Sequence, residues 1–225
     1  MDNPLRVLIF GASGMVGAAV LDTCLDDPRV TSVLVVGRSP VGRTHEKLTE
    51  IQHADLFDLV PISSHFTDVD ACFFTAGVSA AGMKEADYTR VTYDLTLAVA
   101  KVLVVVNPAM AFLYVSGAGT DETEKGRSMW ARVKGRTENA LLALGFRRAV
   151  MVRLAGLIPL KGTRSKVALY RWSYRLAWPV LPLVSKLAPS LVTTPKKLGR
   201  AMIAAALGEG PVHMNPKDIE RLGRS

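Results

Sequence analysis

A glycine-rich turn near the amino terminus constrains this chain more than any other feature of its sequence. Gly11, Gly14 and Gly17 follow an apolar run at residues 5–10 and lead into an apolar helical pattern. Between a strand and a helix, such glycines permit a tight turn, let a ligand approach the backbone and let the helix lie close to the strand. The N–H groups and dipole of the helix N-terminus attract anions. The turn therefore predicts a site for the pyrophosphate of a dinucleotide, formed by Gly11, Ala12, Ser13, Gly14, Met15, Val16 and Gly17.

The end of the second strand bears on which dinucleotide is bound. The apolar run at 32–36 ends in Gly37 and Arg38, where a site that prefers NAD usually presents an acidic side chain to the ribose 2′-hydroxyl. A guanidinium group instead suits a 2′-phosphate, and Arg43 is a candidate second cation. We therefore expect NADP(H) to be favoured over NAD(H).

Predicted strands and helices alternate along the chain. We predict strands at 5–10, 32–36, 48–53, 71–75, 110–115 and 148–153, and helices at about 15–26, 84–106, 129–144, 166–177 and 195–207. This order predicts an α/β fold with a doubly wound parallel sheet of the Rossmann type. We expect a single domain over residues 1–225, with about 154–192 forming a small cap over the substrate side.

Polar and small residues follow the third and fourth predicted strands. Because open α/β sheets bind ligands at the carboxyl ends of their strands, these residues are candidates for the cofactor site. They are Asp55, Leu56, Thr75, Ala76 and Gly77.

Composition is that of an ordinary globular chain. The 225 residues are 49% hydrophobic, with a mean hydropathy of +0.22, which suits one α/β domain with a full core. Cys24 and Cys72 lack the spacing of a disulfide or metal site, so we expect buried thiols in a reduced compartment. The four histidines are scattered, and no metal site is predicted. Residues 1–4 lack the cationic start of an export signal, and a cytoplasmic location is expected.

Charge is divided unevenly along the chain. Residues 1–124 hold 8 Lys and Arg against 16 Asp and Glu, whereas residues 125–225 hold 20 against 4. An anionic cofactor and substrate account for a basic half, and no aromatic RNA-binding motif or helix-turn-helix spacing accompanies the charge. We expect a small-molecule substrate and no nucleic acid, and the sequence leaves a homodimer open.

The stretch at 167–184 mixes aromatic and basic residues, as helices at membrane surfaces do. Arg171, Arg175 and several prolines interrupt it, which argues against a spanning helix. We favour a lid over the substrate pocket and expect no stable membrane insertion.

Six short motifs occur together in a characteristic order. They are Gly11–Gly17, Val36–Arg38, Asp55–Leu56, Thr75–Gly77, Tyr114–Ala118 and Lys134–Glu138. In this order and spacing the chain resembles the short-chain dehydrogenase/reductase superfamily, and it is most similar to the atypical NAD(P)-binding oxidoreductases related to the Tat-interacting protein.

The resemblance implies a role for each motif. It assigns the pyrophosphate to the glycine turn, the 2′-phosphate to Arg38, the adenine to Asp55 and Leu56, and the backbone near the ribose to Ala76 and Gly77. By the same resemblance, Ser116 hydrogen-bonds the substrate carbonyl and Lys134 grips the nicotinamide ribose.

Two positions depart from the family pattern. Trp130 stands four residues before Lys134, where the family has a tyrosine that acts as acid or base, and an indole N–H does not titrate usefully near neutral pH. The stretch 90–94 also lacks the family's asparagine. We expect Trp130 to pack beside the nicotinamide.

Two functions therefore remain open. One is an NADP-dependent oxidoreductase on a small carbonyl compound, a reductase or isomerase that takes its proton from water, Ser116, Tyr88 or Tyr93. The other is a non-catalytic, NADP(H)-binding redox sensor or scaffold.

Overall fold

A seven-stranded parallel sheet organises the molecule. The computed structural model describes residues 4–158 and 192–224, and within them the strand order is β3-β2-β1-β4-β5-β6-β7. The strands are β1 Leu5–Phe10, β2 Val30–Gly37, β3 Leu48–Gln52, β4 Ala71–Phe74, β5 Ala111–Gly117, β6 Arg148–Leu154 and β7 His213–Met214. Chain order reverses between β1 and β4, which opens a crevice at the carboxyl ends of these two strands. The prediction of a doubly wound parallel sheet is confirmed.

Helices cover both faces of this sheet. They are α1 Met15–Asp26, α2 Glu85–Thr89, α3 Leu95–Val106, α4 Met129–Leu142, α5 Pro195–Ala206 and α6 Pro216–Leu222, with a 3₁₀ helix at Val60–Phe66. One core lies under α1, α5 and α6, and the other lies under α3 and α4. In β1, Val7 and Ile9 enter the first core, and Leu8 and Phe10 enter the second. Since strands buried on both faces read as continuous apolar runs, the sequence located them well.

The predicted helix at 84–106 is divided in the structure. Its middle turn, Arg90–Asp94, is a π-helix between α2 and α3. Thr96 Oγ1 donates a hydrogen bond to the Thr92 carbonyl oxygen at 2.5 Å, and such a side-chain bond competes with the regular helical hydrogen bond. Apolar spacing gave no sign of this local change.

Three short elements were absent from the sequence prediction. The 3₁₀ helix, β7 and α6 span seven, two and seven residues, too few for a hydrophobic period to appear. The two residues of β7 still complete the sheet because Met151 and Val152 of β6 pair with them.

The predicted cap falls mainly on residues 159–191, outside the described part of the chain. The helix predicted at 166–177 and the stretch 167–184 therefore stay predictions. On either side, Leu157 forms a parallel bridge with Thr193, and Ile158 N donates to the Thr193 carbonyl at 3.0 Å. Among the helices of residues 4–158 and 192–224, none has the length and apolar character needed to cross a bilayer.

Helices α1 and α5 pack closely against each other in the first core. A Cβ built on Gly199 of α5 would lie 2.4 Å from Thr23 Cβ on α1, so the glycine sets the distance between the two helices. Cys24 on α1 and Cys72 on β4 are both buried free thiols, as predicted, and burial raises the pKa of each.

The substitution Gly199→Ala tests this contact away from the candidate site. In an exposed helix, alanine in place of glycine stabilises by up to about 1 kcal/mol. Here the clash with Thr23 should instead lower the free energy of unfolding by about 1–3 kcal/mol. Urea denaturation followed by circular dichroism measures the change, and a Gly199→Ala protein as stable as the wild type would contradict this packing.

Candidate functional site

The glycine turn joins β1 to α1 at the crevice. Gly11 has a φ of +85°, a backbone conformation that favours glycine, and Gly14 N donates to the Gly11 carbonyl at 2.9 Å. Gly14 is the N-cap of α1 and supplies no side-chain cap, and the first turn of α1 carries no charged side chain. Ser13 and Gly14 are exposed. The first N–H groups of α1 thus face an open edge, as binding of an anionic phosphate requires.

Glycine is needed here for close approach as well as for the turn. A Cβ on Gly17 would lie 2.1 Å from the Gly11 carbonyl oxygen, and one on Gly11 would lie 2.5 Å from Ala76 N. A Cβ on Gly14 would meet only the Gly11 carbonyl oxygen, at 3.2 Å. Gly11 and Gly17 therefore serve the packing of the turn, whereas the space in front of Gly14 is free for a ligand.

The end of β4 forms the opposite wall of the crevice. Thr75 donates to the Phe10 carbonyl through its backbone N at 2.9 Å and through Oγ1 at 2.7 Å. These two bonds hold the end of β4 beside the end of β1, and they place Ala76 against Gly11. Gly77, the next residue, is exposed. The structure thus brings Thr75, Ala76 and Gly77 to the glycine turn.

The β2 and β3 ends lie on the same edge of the sheet. Arg38 directly follows β2; its side chain is exposed and makes no hydrogen bond or ion pair within the described residues. Arg43 is engaged instead, with Nε 3.0 Å from Asp22 Oδ1 on α1. Asp55 is exposed and caps its own turn by accepting from Phe57 N at 2.9 Å, and Leu56 is half-buried. Of the two candidate cations, Arg38 is the available one.

Lys134 projects from α4 onto β5. Its Nζ donates to Tyr114 Oη at 3.2 Å and to the Val115 carbonyl at 3.4 Å, and it lies 5.0 Å from the centre of the Tyr114 ring. Burial lowers the pKa of Lys134, although its interactions with Tyr88 and with the negative charge of Glu138 oppose this. Burial, assisted by Glu138, raises the pKa of Tyr114, so this phenol stays neutral. Lys134 is fixed by its own neighbours rather than left as a solvated helix lysine.

The hydroxyl of Ser116 turns into the protein. Ser116 is buried at the end of β5, and its Oγ donates to Glu138 Oε1 at 2.5 Å. Glu138 is fully buried, and Arg153 of β6 also donates to it. A contact between Ser116 Oγ and a substrate carbonyl would require the hydroxyl to leave Glu138. Glu138 and Arg153 were not predicted as site residues. Glu138 lies one helical turn after Lys134, and Arg153 lies near a strand end, which are the signals that the sequence offered.

Trp130 covers the glycines that follow Ser116. A Cβ on Gly117 would lie 3.2 Å from Trp130 Cζ3, and one on Gly119 would lie 3.6 Å from Cη2. The indole is half-buried, and the edge of its six-membered ring lies against the backbone of this turn. Trp130 therefore fills the space that a side chain at Gly117 would need.

The two tyrosines considered as proton donors differ in their surroundings. Tyr93 lies under the Arg136 guanidinium, whose carbon is 4.3 Å from the ring centre. Tyr88 on α2 is buried and close enough to Lys134 to affect its pKa. No described contact brings the Tyr93 phenol to Ser116 or Trp130.

A separate pocket of about 220 Å³ lies between α1 and α5. Asp22, Asp26 and Asp27 from the end of α1 face Lys196 and Arg200 of α5 across it. It lies beside the last turns of α1, at the opposite end of that helix from the glycine turn, so it takes no part in the dinucleotide site.

Comparisons with known proteins agree with this geometry. The model of a family described as "NAD dependent epimerase/dehydratase family" matches residues 7–126. Among curated proteins, the chain is similar to "Protein fmp52, mitochondrial" of Emericella nidulans, with 31% identity over 155 residues. That match covers 66% of this chain and 65% of the relative, so the chain spans just under two thirds of the relative's length.

Solved structures share the fold at low sequence identity. The UDP-glucose 4-epimerase of Thermotoga maritima, solved with UDP-glucose, superposes with a TM-score of 0.67 at 12% identity and covers 98% of this chain and 82% of its own. The Bordetella bronchiseptica enzyme WbmH, solved with NAD+, gives 0.66 at 19% identity and covers 92% and 74%. At these identities the likeness shows the fold.

The predicted location is wrong by comparison with the curated relatives. A cytoplasmic location was expected, but relatives from several fungi are named as mitochondrial proteins. The expectation depended on the lack of an export signal in residues 1–4, and that signal concerns secretion alone.

A larger side chain at Gly14 tests whether the glycine turn binds the dinucleotide. Gly14→Val should leave the far-ultraviolet circular dichroism spectrum native-like, because its Cβ meets a single backbone oxygen, but it should abolish dinucleotide binding by occupying the approach to the phosphates. Fluorescence titration with the dinucleotide measures binding. Gly17→Val is the contrasting variant and should disturb the fold itself, because its Cβ would overlap a backbone carbonyl. Retained affinity in folded Gly14→Val would remove the turn from the site.

Proposed function

The chain belongs to the NAD dependent epimerase/dehydratase family, and from this premise we propose that it binds NADP(H) and acts as an oxidoreductase on a small carbonyl compound. The resemblance to the short-chain dehydrogenase/reductase superfamily is confirmed at the level of family and fold. The choice of NADP(H), the substrate class and the roles of individual residues are the proposal.

The glycine turn carries the proposal. Gly14 N donates to the Gly11 carbonyl, the N-cap of α1 is a glycine without a side-chain cap, and the turn lies at the β1–β4 crevice. This arrangement suits a pyrophosphate on the helix N-terminus. The residues that would hold the cofactor are therefore the turn itself, Thr75–Gly77 and Lys134.

Preference for NADP(H) is supported by the two arginines near β2. Arg38 has an exposed guanidinium with no described partner at the strand end, whereas Arg43 already pairs with Asp22. A planar guanidinium can form two hydrogen bonds to a phosphate. We assign the 2′-phosphate to Arg38 alone.

Lys134 is the second cation of the proposed site, after Arg38. It lies on α4 with Nζ held by Tyr114 and the Val115 carbonyl, so its remaining proton can be donated to a ribose hydroxyl. The nicotinamide, when bound, supplies or accepts a hydride. Lys134 orients that half of the cofactor, and the indole of Trp130 lies against the turn at Gly117.

Proton supply separates this chain from ordinary members of its superfamily. Trp130 provides no titrating hydroxyl, and Ser116 already donates to Glu138. We assign the proton to water in the cleft, and turnover on generic ketones should accordingly be weak.

The observation that favours a second function is the packing of Trp130. Because the indole occupies the space over Gly117 and Gly119, the chain could bind the cofactor without turnover and serve as a redox sensor or scaffold. Both functions predict the same dinucleotide site, so carbonyl reduction is what separates them.

Arg38→Ala tests the cofactor preference. Loss of the charge-assisted contact should weaken NADPH binding by about 1–2 kcal/mol and leave NADH nearly unchanged. Isothermal titration calorimetry with both cofactors measures this. Arg43→Ala is the matched control and should affect neither, because its guanidinium is bound to Asp22. Equal weakening of NADPH and NADH by Arg38→Ala would show that Arg38 does not contact the 2′-phosphate.

Trp130→Tyr tests the proton supply. The phenol would lie one helical turn before Lys134, whose positive charge lowers a neighbouring phenol's pKa, so the variant should gain NADPH oxidation with some carbonyl compounds. Trp130→Phe removes the indole without adding a hydroxyl and should gain nothing. NADPH consumption against a carbonyl panel measures both variants. Robust wild-type turnover that Trp130→Tyr leaves unchanged would indicate a different proton donor.

A further inference from the structure

A buried carboxylate joins α4 to the sheet beside the proposed site. Glu138 has no exposed surface, and four hydrogen bonds of 3.2 Å or less reach its two oxygens. Ser116 Oγ donates to Oε1 at 2.5 Å, and Arg153 Nη2 donates to Oε2 at 2.6 Å. A buried carboxylate persists only when it is paired and hydrogen-bonded in this way. We call Glu138, Ser116 and Arg153 the Glu138 cluster.

The cluster connects three elements at the carboxyl edge of the sheet. Ser116 and Arg153 are the penultimate residues of β5 and β6, and the two are direct partners in the parallel register. Glu138 comes from α4, which covers both strands. The carboxylate therefore fixes the helix relative to two strand ends at once, with an accuracy set by hydrogen-bond geometry rather than by apolar packing.

Other groups approach the cluster from its outer side. Arg153 Nη2 also pairs with Glu122 Oε2 at 2.9 Å, and that carboxylate is 56% exposed. His213 Nε2 on β7 lies 3.9 Å from Glu138 Oε2, and it is buried without a hydrogen-bond partner among the described residues. Arg153 thus contacts one exposed and one fully buried carboxylate, and these provide a matched pair for experiment.

Lys134 depends on the same face of α4. Lys134 and Glu138 are four residues apart, so their side chains leave the helix in the same direction. Tyr114, which receives Lys134 Nζ, and Ser116, which reaches Glu138, are two residues apart on β5 and point to one face of the sheet. Two successive turns of α4 are therefore attached to two successive inward positions of β5.

We propose that Glu138 is a positioning residue, which through Ser116 and Arg153 fixes α4 on the ends of β5 and β6 and thereby holds the Lys134 ammonium in place on β5. Its negative charge has a second effect, because together with the buried Tyr88 of α2 it opposes the lowering of the Lys134 pKa by burial. In this arrangement the Ser116 hydroxyl serves the cluster rather than a substrate carbonyl. The dinucleotide-binding readout rests on the proposed function, whereas the acetylation readout does not.

Glu138→Gln tests the inference on the protein without any cofactor. The amide keeps the size and one oxygen of the side chain but removes its charge, so the pKa of Lys134 should fall. Competitive acetylation between pH 7 and 11, read by peptide mass spectrometry, should show a lower pH midpoint for Lys134 and labelling about threefold faster at pH 8. Lys101, an exposed lysine on α3, is the internal reference and should not change.

Glu122→Gln is the matched control because it removes the other carboxylate partner of Arg153. It should leave the Lys134 midpoint at the wild-type value. A general loosening of α4 would raise labelling at every pH and, by exposing Lys134 to water, would move its midpoint upward. A lower midpoint therefore separates loss of the Glu138 charge from a merely structural effect. An unchanged midpoint in Glu138→Gln, or equal shifts in both variants, would overturn the inference.

Removal of one partner from a buried ion pair can prevent folding. The double variant Glu138→Leu/Arg153→Met removes the pair as a unit, which proteins often tolerate. Its Lys134 midpoint should also fall, but by less than in Glu138→Gln, because the nearby Arg153 cation is removed as well. If Glu138→Gln does not fold, the Lys134 acetylation midpoint of this double variant tests the inference instead, and an unchanged midpoint would overturn it.

Dinucleotide titration provides the second readout. Glu138→Gln should weaken NADPH binding about tenfold at a temperature where it is fully folded, and Glu122→Gln should bind like the wild type. A wild-type protein that binds neither NADPH nor NADH would overturn the proposed function. The acetylation result would still test whether Glu138 acts on Lys134. Wild-type affinity in folded Glu138→Gln would contradict the role of Glu138 in positioning Lys134.

Discussion

Close packing of the glycine turn against the end of β4 is the constraint on which the candidate site depends. The Gly11 carbonyl lies against the α-carbon of Gly17, and Ala76 lies against Gly11, at distances that leave no room for a Cβ at either glycine. Thr75 secures the contact with two hydrogen bonds to Phe10. Because this contact brings β1, α1 and β4 together, the N-terminus of α1 opens into the crevice where chain order reverses.

A second attachment, made of polar groups, governs the other half of the edge. Lys134 and Glu138 reach from α4 to β5 and β6, and each is satisfied by hydrogen bonds. Apolar packing orients a helix only approximately, whereas a buried carboxylate with several donors fixes its position and register. The glycine turn therefore determines where a dinucleotide could bind, and the Glu138 cluster determines where the lysine for its ribose would lie.

Trp130 distinguishes the candidate site from the pattern that the family resemblance implies. The indole fills the space beside Gly117 that a side chain would otherwise use, and by the resemblance it stands at the position of the family's acid or base. An environment with two cations, the exposed Arg38 and the held Lys134, and no titrating phenol at position 130 suits the binding of an anionic cofactor better than rapid proton transfer. Family membership alone leaves the reaction open, because one fold supports many chemistries.

The sequence by itself determined the sheet, its strands and the glycine turn, because both-sided burial of parallel strands and the glycine positions at a tight turn depend on local residue type. Through the family resemblance it also predicted a role for Lys134 and the replacement of the family's tyrosine by Trp130, because the two motif positions are one turn apart on a single helix. Only the tertiary structure decided that Ser116 faces Glu138, that Arg43 is bound to Asp22 while Arg38 stays available, and that Trp130 covers Gly117. Each of these depends on a partner from another element, 13 to 22 residues away along the chain. Such partners meet through packing of whole elements, which a residue's neighbours in sequence do not specify.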